Sequence, residues 1–526
     1  MSIKGIVTTI LFFVLIGCYA QHSVPSTYAE LIDPTSARKH LTIIASDEFE
    51  GRETGKVGAD KAANYIAQQF ELLGLTAPVN SSYYQPVELA TKAFSVDTFE
   101  VGEHTFRHEK DFLIIGKRSE QEIKTDRMVF IGYGISDKHY DDLAKIDIAD
   151  KVVLLLNEDE PRDKMGKSLI TGQTKGSIWS TSNSKRMQHI ISKKPKLILA
   201  ISKNADTLIQ QISKKKYAEK IQLKEDLTQE NLSTDHSPTV VYISPQTANL
   251  ILSSHGSNLE KLKQEITESG KPRSRVLKST LKLSFGQKII DVKAQNVLGY
   301  LEGTDLKDEL LVITAHYDHI GVNPNGEINN GADDDGSGVT AVLDIAKAFA
   351  RAKENGHSPR RSILFMMVTG EEKGLLGSDY YTRHPVFPLN KTIANLNIDM
   401  IGRIDPSHFA KADYVYLVGS DKLSSELHHI SEAANKTYTK LDLDYRYNDP
   451  NDPEKIYYRS DHYNFAKNDI PVIFYFNGVH EDYHDIGDTV DKIDFPLLCK
   501  RAKLVFYTAW DLVTRDTKPI VDSHKK

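Results

Sequence analysis

Histidines, aspartates and glutamates stand at or just beyond the ends of four apolar runs of the chain. The runs are 310–315, 363–369, 393–398 and 472–476. The polar residues that follow them are His316 with Asp318, Glu371 with Glu372, Asp399, and, beyond a short loop, Tyr483 with His484. A further acidic group, 333–335, lies in a glycine-bounded loop. Imidazole and carboxylate groups bind metal ions and transfer protons, so this pattern predicts metal-assisted or acid–base chemistry.

The runs also predict the elements that position these side chains. Each has the length of a buried parallel strand. Helical patterns cover 339–351, with Ser337 as the expected N-cap, and 495–513. Strands that alternate with helices predict an α/β fold with a doubly wound, mixed but largely parallel sheet. Because functional groups in such sheets lie beyond the carboxyl ends of the strands, we expect the polar residues to meet at one edge.

Five segments resemble the co-catalytic dizinc exopeptidases of the bacterial leucyl aminopeptidase and glutamate carboxypeptidase type, in order and interval as well as in residue type. They are 315–318, 331–338, 370–372, 397–400 and 483–484. The resemblance covers the C-terminal half and the helical N-terminal segment around 50–52. The middle of the chain, with 130–135 and 147–154, resembles the β-rich protease-associated (PA) domain that is inserted in many of these enzymes.

The resemblance implies two zinc ions per chain and assigns them five ligands. Asp334 would bridge the ions, Glu372 and His484 would complete one site, and His316 and Asp399 the other. The two ions would bring four positive charges and the three carboxylates would remove three of them. The remaining positive charge suits a bridging hydroxide, the nucleophile that zinc generates from water near neutral pH.

The other matched residues are expected to move protons or to orient the ligands. Glu371 would be the general base that takes the proton of the water and returns it to the leaving amine. Asp318 is expected to accept the second N–H of His316 and so to fix its tautomer. Tyr483 would donate its hydroxyl to the tetrahedral oxyanion, or would otherwise serve as a packing aromatic. The family pattern places a cis peptide bond before Asp335.

A competing zinc motif, H-E-x-x-H, occurs at 480–484. It binds zinc only on a helix, where its two histidines share one face. Here it follows an apolar strand and runs into loop composition, and no glutamate occurs after Glu481 to supply a third ligand. We therefore expect His480 at the rim of the cleft or behind the ligands, and a replaceable Glu481.

Several neighbouring residues are open to more than one interpretation. The segment 460–462 is either a support for the site or the N-cap of a short helix. His319, one turn from the site, is a candidate for contact with substrate. Arg403 and Arg459 are candidates for binding a substrate carboxylate, as a carboxypeptidase would require. The lysine run 214–216 is interpreted as a solvated face.

Composition and charge limit the classes of function. The chain has 526 residues and a net charge of -6, from 66 basic and 72 acidic residues, so it has no electrostatic footprint for nucleic acid. Lys4 and the apolar run 5–17 are typical of an export signal. Cys18 follows that run and resembles the acylated cysteine of a bacterial lipoprotein, which would attach the protein to a membrane, although 18–20 also fits ordinary signal cleavage.

The predicted organisation is a peptidase domain split by an insertion. The segments are 1–20 as signal, 22–93 and 290–526 as parts of the zinc peptidase domain, and 94–285 as the PA-like insertion. The expected function is that of an exported zinc exopeptidase acting on peptides in the cell envelope or outside the cell, with aminopeptidase activity favoured. Two alternatives use the same fold: a glutaminyl cyclase-like transferase with a single zinc ion, and a non-catalytic binding protein. The sequence leaves side-chain preference and oligomeric state open.

Overall fold

The chain folds into two compact units in a computed structural model that describes residues 23–115, 120–214, 220–229 and 237–523. One unit, here called the split unit, combines the residues up to Leu89 with those from Val292 onward. The other, the inserted unit, spans Ala90–Asp291. The predicted insertion 94–285 lies within the inserted unit. The predicted signal segment and Cys18 lie outside the described residues.

The split unit is built on a sheet whose central strands are parallel. In spatial order its strands are Asp442–Asp444, Tyr414–Val418, Val472–Phe476, Thr392–Ile398, Leu306–His316, Arg361–Val368 and the end of Arg275–Leu301. The four strands from Val472–Phe476 to Arg361–Val368 run parallel, and antiparallel neighbours flank them on both sides. These four are the predicted apolar runs. The predicted mixed, largely parallel sheet is therefore confirmed.

Helices cover both faces of this sheet. They are Val24–Ala29, Pro34–Ile44, Val57–Leu72, Gly338–Glu354, Leu376–Arg383, Ser425–Ala434, His462–Ala466 and Phe495–Thr514. Alternate residues of one central strand show the layering. Leu311 and Ile313 pack in the apolar cluster that contains Phe349 of the helix Gly338–Glu354, whereas Leu310 and Val312 pack in a different cluster on the other face. The sheet is doubly wound because it is buried on both faces.

The turn Ala332–Ser337 leads into the helix Gly338–Glu354, and it corrects one local prediction. Ser337 precedes the helix but does not cap it. Its hydroxyl instead donates to the carbonyl oxygen of Asp333 at 2.8 Å and accepts the Ile401 amide at 2.9 Å. In this tight turn the Ser337 hydroxyl forms hydrogen bonds with backbone groups of the turn and of the neighbouring segment. It is therefore not available to cap the helix, as it would be at an ordinary helix start.

The inserted unit has its own apolar clusters. Strands Gln121–Phe130, Val152–Leu156, Leu197–Ile201 and Thr239–Ile243 run parallel, with Phe112–Ile115 and part of Arg275–Leu301 antiparallel at the sides. The remaining strands are Tyr84–Val101, His104–Thr105 and Gln222–Leu223. The helices are Ile178–Thr181, Asn183–Ser192, Ala205–Lys214, Lys224–Gln229, Pro245–Ser253 and Leu259–Ser269. Its resemblance to a PA domain stays a prediction.

Within the described residues, every helix is too short or too polar to cross a bilayer.

Candidate metal centre

The predicted polar residues meet at the carboxyl edge of the split unit's parallel strands. His316 is the last residue of Leu306–His316, and Asp399 directly follows Thr392–Ile398. Glu371 and Glu372 come three and four residues after Arg361–Val368. This convergence follows from the parallel arrangement, because each strand delivers its next residue to the same edge.

Three of these residues form a first cluster. His316 Nε2 lies 3.2 Å from Asp334 Oδ1 and 3.5 Å from Asp399 Oδ1. All three side chains are buried, and one donor atom of each lies within 4.8 Å of the other two. The cluster therefore brings one imidazole and two carboxylates to a single point.

A second cluster shares Asp334 with the first. His484 Nε2 lies 3.1 Å from Asp334 Oδ2 and 3.1 Å from Glu372 Oε2. His319 joins it, with Nδ1 2.9 Å from Glu372 Oε1 and 3.7 Å from Asp334 Oδ2. The structure thus brings together all five predicted ligands and adds a histidine that the sequence suggested only as a substrate contact. The available signal was a second histidine three positions after His316.

The donor set of the two clusters fits zinc. Asp334 Oδ2 has nitrogens of His319 and His484 within 3.7 Å, yet no described atom donates a hydrogen bond to it. In each cluster the carboxylate oxygens also lie within 4.8 Å of each other, and buried carboxylates this close repel one another unless cations lie between them. Imidazole nitrogens mixed with carboxylate oxygens, without thiolates, are a set that zinc accepts.

The electrostatics of His484 follow from this crowding. Burial would lower the pKa of His484, but the neighbouring carboxylates of Asp334 and Glu372 raise it to about 10. The two carboxylates thus favour a positive charge at this point. The protonated imidazole of His484 supplies that charge when no metal ion does.

Glu371 and Glu372 are adjacent but face different surroundings. Glu372 belongs to the second cluster, whereas Glu371 Oε2 lies 4.0 Å from His316 Nε2 in the first. Burial raises the pKa of Glu371 well above its usual value; His316 opposes this shift, and Asp399 and Glu372 add to it. Glu371 is therefore a carboxyl group beside the candidate metal centre with its oxygens outside both donor sets.

Asp318 supports the site differently from the prediction. His316 Nδ1 lies 3.0 Å from the Asp318 backbone carbonyl oxygen and 3.9 Å from its carboxylate. The carboxylate instead accepts the Thr54 hydroxyl at 2.7 Å and the Glu371 amide at 3.2 Å. The chain turns after the strand so that the carbonyl, rather than the side chain, reaches the ring. Asp318 thus positions both His316 and Glu371.

Comparison of the sequence with family models shows which family the chain resembles. Residues 296–509 match the model of Peptidase family M28. The chain is therefore similar to this family over somewhat less than half of its length.

Curated proteins that the chain resembles carry peptidase names. The chain is 25% identical over 283 residues to "Aminopeptidase YwaD" of Bacillus subtilis, covering 52% of this chain and 56% of that protein. It is 32% identical over 212 residues to a "Probable leucine aminopeptidase" of Arthroderma otae, covering 39% of this chain and 54% of that protein. The chain thus spans about half the length of the curated relatives it matches.

Among solved structures, the chain is similar to an aminopeptidase from Aneurinibacillus sp. strain AM-1, with 16% identity and a TM-score of 0.46 over 95% of this chain and 98% of that one. A zinc aminopeptidase from Bacillus subtilis gives 16% identity and a TM-score of 0.45 over 94% and 99%.

A small cavity of about 40 Å³ adjoins the first cluster of the split unit. Its polar wall is formed by His316, Asp334, Asp399 and Glu371, and it is also lined by Arg459 and Tyr483. Its apolar wall is formed by Met400, Ile456, Phe474, Phe476 and Val479. The cavity therefore offers a small apolar chamber directly beside the donor atoms.

Tyr483 lies at the boundary between this cavity and the second cluster. Its ring stacks on His484 with centroids 3.9 Å apart, and its hydroxyl lies 3.4 Å from Arg459 Nη2. Burial raises the pKa of the Tyr483 phenol well above its usual value, with nearby carboxylates adding to the shift. The hydroxyl therefore stays protonated and can act as a hydrogen-bond donor.

Asp335 and Asp488 fix the backbone that carries Asp334. The Asp334–Asp335 peptide bond is cis, as the family pattern predicts. The Asp335 carboxylate accepts backbone amides of His316 at 3.2 Å, Gly338 at 2.9 Å and Met400 at 3.0 Å. The Asp488 carboxylate accepts the amides of Asp333 and Asp334. Three ligand-bearing segments are thereby tied together.

Ser460 supports Asp399. Its hydroxyl donates to Asp399 Oδ2 at 2.7 Å and accepts from Asn397 Nδ2 at 2.8 Å. Asp461 precedes the helix His462–Ala466 without a side-chain capping bond. Of the two interpretations of 460–462, the structure favours support of the site.

The H-E-x-x-H segment folds as turns, so it does not place its histidines on one helix face. His480 Nε2 lies 3.2 Å from Asp333 Oδ2 and away from both donor sets, and Glu481 is exposed. His484 alone reaches the donor atoms. The thermolysin-like interpretation of this motif is therefore excluded by the local fold.

Proposed function

We propose that the protein is an exported, zinc-dependent aminopeptidase that hydrolyses the first peptide bond of peptides with a free N-terminus. The observation that carries this proposal is the pair of donor clusters joined by Asp334, with Glu371 beside them at the wall of a cavity. The match to Peptidase family M28 and the aminopeptidase names of the relatives support it.

Two zinc ions are proposed, one for each cluster. His316, Asp334 and Asp399 would hold one ion, and Asp334, Glu372 and His484 the other. Zinc bound there would lower the pKa of water toward neutrality and polarise the scissile carbonyl group. A glutaminyl cyclase-like transferase would hold one ion, so zinc counted per chain by plasma emission spectrometry distinguishes the two proposals.

The residues outside the donor sets would handle the protons. Glu371 faces the first cluster from the cavity wall, where it can take a proton from the attacking water and pass it to the leaving amine. Tyr483 can donate its hydroxyl to the oxygen that gains negative charge. The Asp318 carboxylate accepts the Glu371 amide, and the Asp318 carbonyl oxygen contacts the His316 ring. Asp318 would therefore fix the position of the general base relative to the ligand.

The charges around the cavity favour a free amine over a free carboxylate as the anchored terminus. Arg403, one of the two arginine candidates, donates to Asp482 at 2.8 Å and lies 3.9 Å from Asp488, so its charge is used within the protein. Arg459 remains at the cavity, opposite several carboxylates. The apolar wall of the cavity suits an apolar N-terminal side chain.

The test uses one leucine-headed peptide in three forms: free, N-acetylated and C-amidated. We expect hydrolysis of the free and amidated peptides and none of the acetylated one. Loss of cleavage on amidation, with cleavage of the acetylated peptide, would establish a carboxypeptidase instead. Removal of zinc with a chelator should abolish hydrolysis and added zinc should restore it; an active metal-free protein would refute the proposal.

Export and membrane attachment through a lipid on Cys18 are part of the proposal and rest on the sequence. Mass spectrometry of the protein purified from membranes should find an acylated Cys18 at the mature N-terminus. Cys18→Ser should then release the protein from the membrane fraction, whereas a mature N-terminus beyond Cys18 would favour free secretion.

A further inference from the structure

His319 is a buried histidine at the second cluster that the five-ligand assignment leaves without a role. Its side chain is fully buried, and Nδ1 lies 2.9 Å from Glu372 Oε1 and 3.7 Å from Asp334 Oδ2. Its other nitrogen, Nε2, is buried with no hydrogen-bond partner among the described residues. A buried imidazole whose contacts are two carboxylate oxygens is costly unless the charge around it is balanced.

The surrounding backbone holds this ring in place. Gly331, at the start of the turn that carries Asp334, lies under the ring, where a Cβ atom would come within 2.6 Å of His319 Cγ and Cδ2. The His319 amide donates to the Arg52 carbonyl oxygen at 3.3 Å, and the segment pairs with Glu53. The ring therefore occupies a fitted slot beside the shared aspartate.

The two clusters then differ in the number of protein donors. The first has three residues, His316, Asp334 and Asp399. The second has Asp334, Glu372 and His484, and His319 is a fourth residue with a donor atom in it. Zinc sites with four protein ligands are closed structural sites, whereas sites with three keep a position for water or substrate.

The cavity also distinguishes the first cluster from the second. All three donors of the first cluster line it, whereas only the shared Asp334 represents the second. The second cluster is not sealed from solvent, since the His484 side chain is 37% exposed. The number of ligands, rather than burial, would therefore decide how firmly the second ion is held.

From this geometry we infer that His319 is a fourth protein ligand of the second zinc ion, which makes that ion the tightly held one and leaves the first ion as the exchangeable, substrate-facing one. The inference rests on the proposed two-zinc site. It predicts that zinc fills the second cluster first.

X-ray absorption at the zinc edge tests this on the unmodified protein. Metal-free protein loaded with one equivalent of zinc should show two imidazoles on the ion, from His319 and His484. Loading to two equivalents should give three imidazoles shared by two ions. One imidazole at one equivalent would overturn the inference, because either His319 is not a ligand or the first cluster fills first.

A variant pair gives an independent readout. We expect His319→Ser to weaken the tighter of two zinc affinities by more than about 100-fold, beyond the roughly 10–100-fold typical of a group that only supports a ligand. His40→Gln is the matched control. His40 is also buried, but its hydrogen-bond partner is the Tyr65 hydroxyl, which belongs to neither donor set. A loss of 100-fold or less in His319→Ser would mean that His319 only donates a hydrogen bond to Glu372.

Failure of the inference and failure of the proposed function can be told apart. Three imidazoles on two zinc ions in a protein that hydrolyses no peptide would leave the ligand assignment standing and refute the aminopeptidase. Two imidazoles in an active enzyme would do the reverse. Should His319→Ser fail to fold, the absorption spectra of the unmodified protein still decide the question.

Discussion

At the scale of single residues, the pair Glu371 and Glu372 shows how adjacent identical side chains acquire different roles. Successive side chains in a non-helical segment point in different directions. Glu372 therefore meets His319 and His484, while Glu371 faces His316 and the cavity. This division could be predicted from the sequence, because it needs only two glutamates after a strand and a partner for each.

We expect Glu371→Gln to lower kcat by about 100- to 10,000-fold while leaving zinc content unchanged, because it removes the proton acceptor but no ligand. Steady-state hydrolysis of a leucine-headed peptide and metal analysis of the same sample check this. The matched control is Glu481→Gln, which alters the exposed glutamate of the H-E-x-x-H segment and should keep most of the activity. The opposite pattern would overturn the assignment of Glu371 as the general base.

Ser460 gives a second prediction at this scale. Ser460→Ala removes the hydrogen bond to Asp399 Oδ2, so the zinc affinity should fall by about 10–100-fold. Ser424→Ala is the control, because Ser424 is also buried but caps the helix Ser425–Ala434. It should cost about 1 kcal/mol of stability and leave zinc affinity unchanged. Equal zinc affinities in the two variants would remove Ser460 from the support of the site.

At the scale of elements, strands and helices were predictable where their apolar pattern is long and continuous. The four central strands were found because buried parallel strands are apolar throughout. The local contacts that the sequence did not predict depend on the path of the backbone. Whether Asp318 offers its carboxylate or its carbonyl to His316 is decided by the turn after the strand, and the position of His319 is decided by a close approach to Gly331. Residue types alone do not encode either.

The turn into the helix Gly338–Glu354 provides the prediction at this scale. A Cβ atom at Gly338 would collide with both carboxylate oxygens of Asp335. Gly338→Ala should therefore displace that carboxylate, cost about 1–3 kcal/mol of stability by overpacking, and weaken zinc binding through His316 and Met400. Thermal unfolding of the metal-free protein and a zinc titration measure the two effects.

Gly356→Ala serves as the control for Gly338→Ala. A Cβ atom there meets no described atom within 4 Å, but its φ of +83° strains any side chain. It should lower the melting temperature without changing zinc affinity. If Gly338→Ala behaves in the same way, the turn does not position the ligands.

At the scale of the whole molecule, the split unit is assembled from two distant parts of the chain. Asp344 of the helix Gly338–Glu354 accepts the hydroxyl of Ser36 and lies 3.8 Å from Lys347. Burial raises the pKa of Asp344 to about 7, although Ser36 and Lys347 oppose the shift. The contact thus joins the N-terminal part to the C-terminal part through a carboxyl group that titrates near neutrality.

This raised pKa predicts a pH dependence of stability. The folded state binds the Asp344 proton more tightly than the unfolded state, so its contribution is full below the unfolded pKa of 3.8 and is lost as pH rises to about 7. Relative to Asp344→Asn, the protein should lose on the order of 2 kcal/mol between pH 5 and pH 8. Denaturant unfolding of both proteins at the two pH values measures this difference; a constant difference would contradict it.

The division of the split unit has a consequence for synthesis of the chain. Tyr28 stacks on Trp510, and Arg52 donates to the carbonyl oxygens of Tyr317 and Asn330, so the first helices find their partners only after the inserted unit has been made. At roughly 5–20 residues per second, the delay before Trp510 emerges is on the order of a minute. During that time the residues that Pro34–Ile44 buries in the folded protein lack their C-terminal packing partners.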